Sequence, residues 1–460
     1  MERELDELAR EHLWMPYSPP GRQGRGFDDI RFLERGAGNR MWAPDGTEYL
    51  DGISALEAMI LGFGDREVID AMTAQAQELA FLDVFRFAAP VQVRLAARLA
   101  EISPGDLKYA HFTPGGAEAD EVAMKLARHY HHLRGESHRM KVITRRGSFH
   151  GVTQGAMALD GHYFASKNVI YDGGLSWGRT ASPRRPYPEA LGHAGRHLAS
   201  VTDIEATILA EGPETVAAVV VDPMGTAIAV ACPPDQYLRD LRALCDEHGI
   251  LLIADEVITG MGRTGRLFGV EHSGIEPDLL TMSKGLSSGY APIGACLASA
   301  RIAELFVERR EAFLHGHTYA AHPVAAAAAL AVVGKVTRER LWEPAAELGE
   351  RLLDGLRGLS GRRHYWDARG RGLLCGLEIV ADPDSGRDFA DPTAAGNALR
   401  VACRDRGLAV LILHPGNVLF MAPPLTSTAD DIDRIVEIVD AAMGDLEGGS
   451  FAAAHAEALR

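Results

Sequence analysis

Through the middle of the chain, short apolar runs alternate with amphipathic stretches. Val216–Val221 (VAAVVV) is an uninterrupted apolar run, and a loop over Asp222–Pro234 separates it from Gln236–His248, where apolar positions recur with a helical period. A second apolar run, Ile250–Ala254, follows at once. Strand, helix and strand at this spacing predict a βαβ unit, and hence an α/β fold with a parallel sheet covered by helices on both faces. Met140–Thr144 and Leu279–Met282 are further predicted strands. Ala117–His132 reads as a helix opened by the turn Thr113-Pro114-Gly115-Gly116. The Ala-rich stretch Val324–Gly334 is shorter than the roughly 20 residues that cross a bilayer and reads as a buried helix.

The C-terminal third has another rhythm. Gly372–Val380 and Val418–Met421 read as strands, and Thr426–Met443 as a helix opened by Thr428 and Asp430. Strands followed by helices predict a smaller α+β domain. A chain of 460 residues is too long for one ordinary core. The expected division is an N-terminal segment, 1–60, packing with a small domain at 335–460, around a large ligand-binding domain at 61–334.

Composition narrows the class of function. The hydrophobic share is 47% and the charged share 24%, as in soluble globular proteins. Lys and Arg number 47 against 63 Asp and Glu, a formal charge of −16. That balance argues against nucleic acid or an anionic membrane as the main partner. The five cysteines are dispersed, with no CxxC pair and no metal-like spacing, which suits a reducing cytosol. The charged N-terminus MERELDELAREHLW lacks the apolar core of a secretion signal.

Candidate chemistry sits where open α/β sheets bind ligands, at the carboxyl ends of strands. Asp255 ends the run ILLIAD, and a carboxylate there calls for a cationic partner. Lys284 follows the run LLTM and precedes a Gly/Ser turn that lets the chain approach a ligand closely; its amine can form an imine. Gly115, Gly116 and Ala117 open a helix, where backbone N–H groups can take an anion. Phe149-His150-Gly151 follows the strand MKVIT and could offer an aromatic face. Gly260–Gly265 satisfies GxGxxG, but RLFGVEHSGIEPD behind it has no helical period. A nicotinamide-dependent oxidoreductase would rest on that match alone.

Taken together, these blocks resemble the class III (ω-amino) aminotransferases of fold type I, nearly end to end. The resemblance is carried by ADEVITGMGRTGRLFGVEHSGIEPDLLTMSKGLSSGYAPIGA, HFTPGGAEADEVAMKLAR, RGSFHG, HGHTYAAHP and MAPPLTST. It implies a large domain with a mostly parallel seven-stranded sheet, a smaller α+β domain, and pyridoxal 5'-phosphate as cofactor. Lys284 would carry the cofactor as a Schiff base and shuttle the proton. Asp255 would pair with the ring nitrogen. Val257 and Phe149 would pack on the two ring faces, with His150 beside them. Gly115, Gly116 and Ala117 would hold the phosphate, and Thr318 would reach it from a neighbouring subunit of a homodimer. Asp222 stands where the family commonly has a Glu near the ring hydroxyl.

The departures concern the phosphate and the substrate. Gly115-Gly116-Ala117 replaces the usual Ser-Gly-Ser or Ser-Gly-Thr, so two hydroxyl donors are missing, at about 1 kcal/mol each. Phe149 stands where Tyr is usual. The usual arginine before the PPL turn is absent from Leu413-His414-Pro415-Gly416. His414 or Arg86 would then handle a substrate carboxylate, or one substrate lacks it. Trp14, Tyr17 and Phe85 could line an apolar pocket or serve as packing. Within the same fold, an aminomutase, a racemase or a decarboxylating aminotransferase would use the same cofactor shell.

Overall fold

The computed structural model describes residues 2–22, 31–160, 177–184, 198–413 and 416–448. Seven strands form the central sheet. They are β1 (Leu107–Thr113), β2 (Lys141–Arg145), β3 (Gly178–Ala181), β4 (Val216–Val221), β5 (Leu251–Asp255), β6 (Leu279–Met282) and β7 (Gly294–Ser299). Their order across the sheet is β1-β7-β6-β5-β4-β2-β3, with β7 antiparallel to both its neighbours and the run from β6 to β3 parallel.

The continuous apolar runs are explained by burial on both faces: every residue of β4 and of β5 is buried. Helix α1 (Gly116–Leu133) packs over β7, β6 and β1, while α2 (Asp235–Glu247) is the crossover between β4 and β5. The Ala-rich stretch lies in α3 (Pro323–Glu339), where Ala325 through Ala329 are buried. Strand β5 runs one residue past the apolar pattern. Asp255 still pairs across to Thr281, and its side chain is satisfied rather than expelled.

Two smaller sheets complete the chain. One is fully antiparallel, with Tyr365–Gly370, Cys375–Ile379, Val418–Met421 and Leu411–Leu413 in that order. The other joins Arg35–Ala37, Arg40–Trp42 and Glu48–Asp51 to Leu408–Ala409, which lies parallel to Glu48–Asp51. Residues early in the chain thus share a sheet with residues late in it. The last described helix, α4 (Ala429–Glu447), is opened by a capping box of Thr428 with Asp431. Asp431, not Asp430, is the acidic partner because the third helical position is the one that reaches back to the cap's N–H. Asp431 also accepts from Arg40 at 2.8 Å, tying the two ends of the chain together. Among the described residues, no helix is long and apolar enough to cross a membrane.

Candidate active site

The carboxyl ends of β2, β4, β5 and β6 bring the predicted residues together. At the end of β5, Asp255 is buried and accepts from His150 Nδ1 at 2.7 Å and from the Val257 N–H at 3.0 Å. The other ring nitrogen, Nε2, lies 3.2 Å from Thr144 Oγ1. Burial alone would depress the His150 pKa. The hydrogen bond and charge of Asp255, with the charges of Asp120 and Asp222, overcome it and push the imidazole up to about 9. A protonated imidazole donates from both nitrogens, so this ring clamps Asp255 in one orientation.

Asp120 is a third member that the sequence reading passed over. One carboxylate oxygen of Asp120, one of Asp255 and a ring nitrogen of His150 lie within 4.8 Å of one another. Thr281 Oγ1, on β6 opposite Asp255, donates to Asp120 Oδ1 at 2.7 Å. Burial, and then the neighbouring charge of Asp255, hold the Asp120 carboxyl well above its usual range. The signal was available in the helical period: Asp120, Ala123, Met124 and Ala127 share the buried face of α1.

Gly115 caps α1 and Gly116 begins it, so the N–H groups of its first turn have no acceptor within the helix. Space there is tight: a Cβ on Gly116 would stand 3.1 Å from both Val257 methyl carbons. A Cβ on Gly151 would stand 2.4 Å from that of Ala117. The phosphate-loop, ring-stacking and Asp255 blocks therefore meet at one place. Asp222, at the end of β4, is ion-paired with Arg145 at the end of β2, and the Thr226 N–H donates to it at 3.2 Å. Arg145 is fully buried, yet the charge and hydrogen bonding of Asp222 raise its pKa against burial. A cation ending a buried strand was its signature in sequence.

Lys284 begins a short turn after β6, with φ of 40°, a left-handed conformation uncommon for a residue with a side chain. Its amine is ion-paired with Glu57, which the sequence pattern does not single out. The Gly260–Gly265 stretch forms turns and leads into a 3-10 segment, Gly269–His272, so no α-helix opens behind the glycines. The loop is instead anchored by buried Glu256, which accepts from Thr259 Oγ1 at 2.5 Å and the N–H groups of Gly269 and Val270 at 2.9 and 2.8 Å. The dinucleotide reading loses its only support.

The remaining predicted residues are at the surface or outside the described residues. Trp14, Tyr17, Phe85, Arg86 and Thr318 are all exposed. The Trp14 indole donates to the Ser18 carbonyl at 2.7 Å, and Arg86 pairs with Asp83 at 3.2 Å. His414 lies outside the described residues.

Comparison with known proteins bears on this geometry directly. The family model for class III aminotransferases matches residues 24–443. An ω-aminotransferase of Caulobacter vibrioides is 34% identical over 444 residues, covering 95% of this chain and 98% of its own. Among solved structures, an (S)-enantioselective ω-transaminase from Thermomicrobium roseum matches with a TM-score of 0.87 at 37% identity, over 97% of this chain and 99% of that one. An ω-transaminase from Pseudomonas jessenii in complex with PMP matches with a TM-score of 0.87 at 29% identity, over 96% and 98% of the two chains. This chain belongs to the class III aminotransferases and is a pyridoxal-phosphate-dependent transaminase of that family.

Proposed function

We propose that the enzyme moves an amino group from an amine or amino acid to a keto acid, ketone or aldehyde in two half-reactions, with Lys284 as the residue that carries the cofactor and moves the proton. The observation that supports this most is the juxtaposition of Lys284 with the clamped Asp255–His150 pair at the ends of neighbouring strands β6 and β5. Pyridoxal phosphate fits the residues present. A buried carboxylate held by a protonated imidazole suits a protonated ring nitrogen, and the glycine-lined first turn of α1 suits a phosphate. When bound, the cofactor supplies an electron sink and holds the amino group between the half-reactions.

The chain's own residues then have distinct tasks. Asp255 keeps the ring nitrogen protonated, and His150 and Val257 N–H fix its orientation. Val257 and Phe149 would take the two ring faces. Asp222, which is tethered to Arg145, would stand at the ring-hydroxyl side. Gly115, Gly116 and Ala117 hold the phosphate through backbone donors. Thr318 completes it from the partner subunit of a homodimer. Its exposure supports that reading, as do the exposed apolar residues Phe81, Phe85, Phe87, Leu314 and Tyr319, of which Phe81 and Tyr319 have ring centroids 5.9 Å apart. Trp14, Tyr17, Phe85 and Arg86 then border the mouth of the shared site.

We read the chain as three parts, 1–60, 61–334 and 335–460, with the first packing on the last. The five free, buried cysteines support a cytosolic setting.

The purified protein's visible spectrum tests the core of this reading. Donor amine added without any acceptor should bleach the cofactor band and release a carbonyl product. A band that persists unchanged with every amine and amino acid tried would refute amino transfer. The thin hydroxyl complement at the phosphate gives a second expectation. In Ala117→Ser, a restored hydroxyl donor should tighten cofactor retention about five-fold, corresponding to about 1 kcal/mol for one hydrogen bond. Equilibrium dialysis of the cofactor measures this, and unchanged or weaker retention would mean the hydroxyl does not reach the phosphate.

A further inference from the structure

Glu57 lies in a segment whose backbone is held in an unfavourable conformation. Ser54, Ala55, Leu56 and Glu57 have φ values of 49°, 45°, 83° and 60°. This left-handed region is unfavourable for a residue bearing a Cβ. Contacts on both flanks hold the segment there. Ser54 Oγ donates to the Ala422 carbonyl at 2.6 Å and accepts from Arg263 at 2.9 Å. The Leu61 N–H donates to Ser288 Oγ at 2.9 Å, and the Ile60 carbonyl accepts from the Leu425 N–H at 2.8 Å. Strain maintained in this way concentrates at functional sites. Here it sets a carboxylate against the Lys284 amine, with the Glu57 side chain 6% exposed and that of Lys284 25%.

A carboxylate this buried needs a cation. Arg263 is near enough to act on it through its charge, but its hydrogen bonds go to Ser54 Oγ and to the carbonyls of Leu373 and Pro423, and the direct ion pair of Glu57 is with Lys284. Once Lys284 is committed to the cofactor, Glu57 loses that direct partner, and a cationic group on the donor can take its place. A monoamine cannot supply it, because its only ammonium must lose a proton to react. An ω-amino acid brings a second negative charge. A diamine brings an ammonium that stays charged while its other end reacts. We propose that Glu57 sets donor specificity by selecting α,ω-diamines over monoamines and ω-amino acids. The proposal rests on the amino-transfer reading above.

The test uses holoenzyme and three donors of equal chain length: diaminobutane, butylamine and γ-aminobutyrate. Single-turnover mixing without acceptor follows loss of the cofactor band against donor concentration. The unmutated enzyme should prefer diaminobutane to butylamine by about ten-fold, through apparent affinity rather than limiting rate. In Glu57→Gln that preference should vanish while γ-aminobutyrate gains. A ratio unchanged by Glu57→Gln would overturn the proposal, as would an equal loss with butylamine and diaminobutane, which would assign Glu57 to the reacting nitrogen instead. A separate readout needs no turnover. Calorimetric titration of Lys284→Ala holoenzyme with diaminobutane should show binding about ten-fold tighter than in the Lys284→Ala/Glu57→Gln double variant; equal affinities would again reject it. If no amine bleaches the unmutated enzyme, amino transfer itself fails and this proposal falls with it. If butylamine reacts but shows no deficit against diaminobutane, only the specificity fails.

Discussion

Lys284→Ala should lose amino transfer by a factor on the order of 10⁴ or more, since both the covalent attachment and the proton shuttle leave with one side chain. The fold should survive. Alanine can occupy the φ of 40° that lysine already tolerates there, and the following turn is held by the Leu286 N–H to Ser283 carbonyl bond at 2.7 Å. What the variant does lose is the ion pair with Glu57, leaving that buried carboxylate without its nearest cation. A modest fall in the thermal midpoint of the cofactor-free protein should therefore accompany the loss of activity. A small primary amine added in solution should restore part of the turnover by standing in for the missing amine, whereas Lys284→Arg should not be rescued in the same way. Retention of even a hundredth of the activity without added amine would move the proton shuttle to another residue.

Asp255→Asn should cut turnover by about 10²–10³-fold, the scale on which removal of one preorganised electrostatic group acts. The amide keeps the shape and one acceptor but not the charge that would hold the ring nitrogen protonated. The same substitution has a second signature in His150. Burial lowers that imidazole's pKa, and the Asp255 hydrogen bond and charge are the foremost influences that raise it to about 9 from its ordinary 6.5. Because the folded-state value is the higher one, the associated stability is fully present below pH 6.5 and is lost as pH rises through about 9. In Asp255→Asn that alkaline loss should shrink, leaving only the weaker help of Asp120 and Asp222. Thermal midpoints measured across this range report it independently of activity. An unaltered profile would show that Asp255 does not control His150.

The elements that the sequence exposes most clearly are those whose burial is continuous. VAAVVV and LLTM are legible because strands covered on both faces read as near-continuous apolar runs, and their observed limits match those runs. Asp255 and Lys284 were legible for the converse reason, as charges standing where such runs end. Glu57 was not. Its position depends on four left-handed residues and on contacts with residues more than two hundred positions away, and neither leaves a local pattern. Asp120 was hidden differently. With its neighbours Ala117-Glu118-Ala119 it reads as an ordinary acidic first turn, and only the helical period places it inward. Asp222 was named only through the family resemblance and Arg145 was not singled out, because their pairing across β2 and β4 depends on the strand order.

The strand Glu48–Asp51 has its edge partner at Leu408–Ala409. During synthesis, most of the protein must emerge from the ribosome before that edge can be covered. The early strands therefore wait as an open pairing surface of the kind that invites association with other chains. A chain cut short before Leu408 keeps its whole central sheet and still carries that surface. Premature termination late in the message should therefore give aggregates rather than a smaller working enzyme.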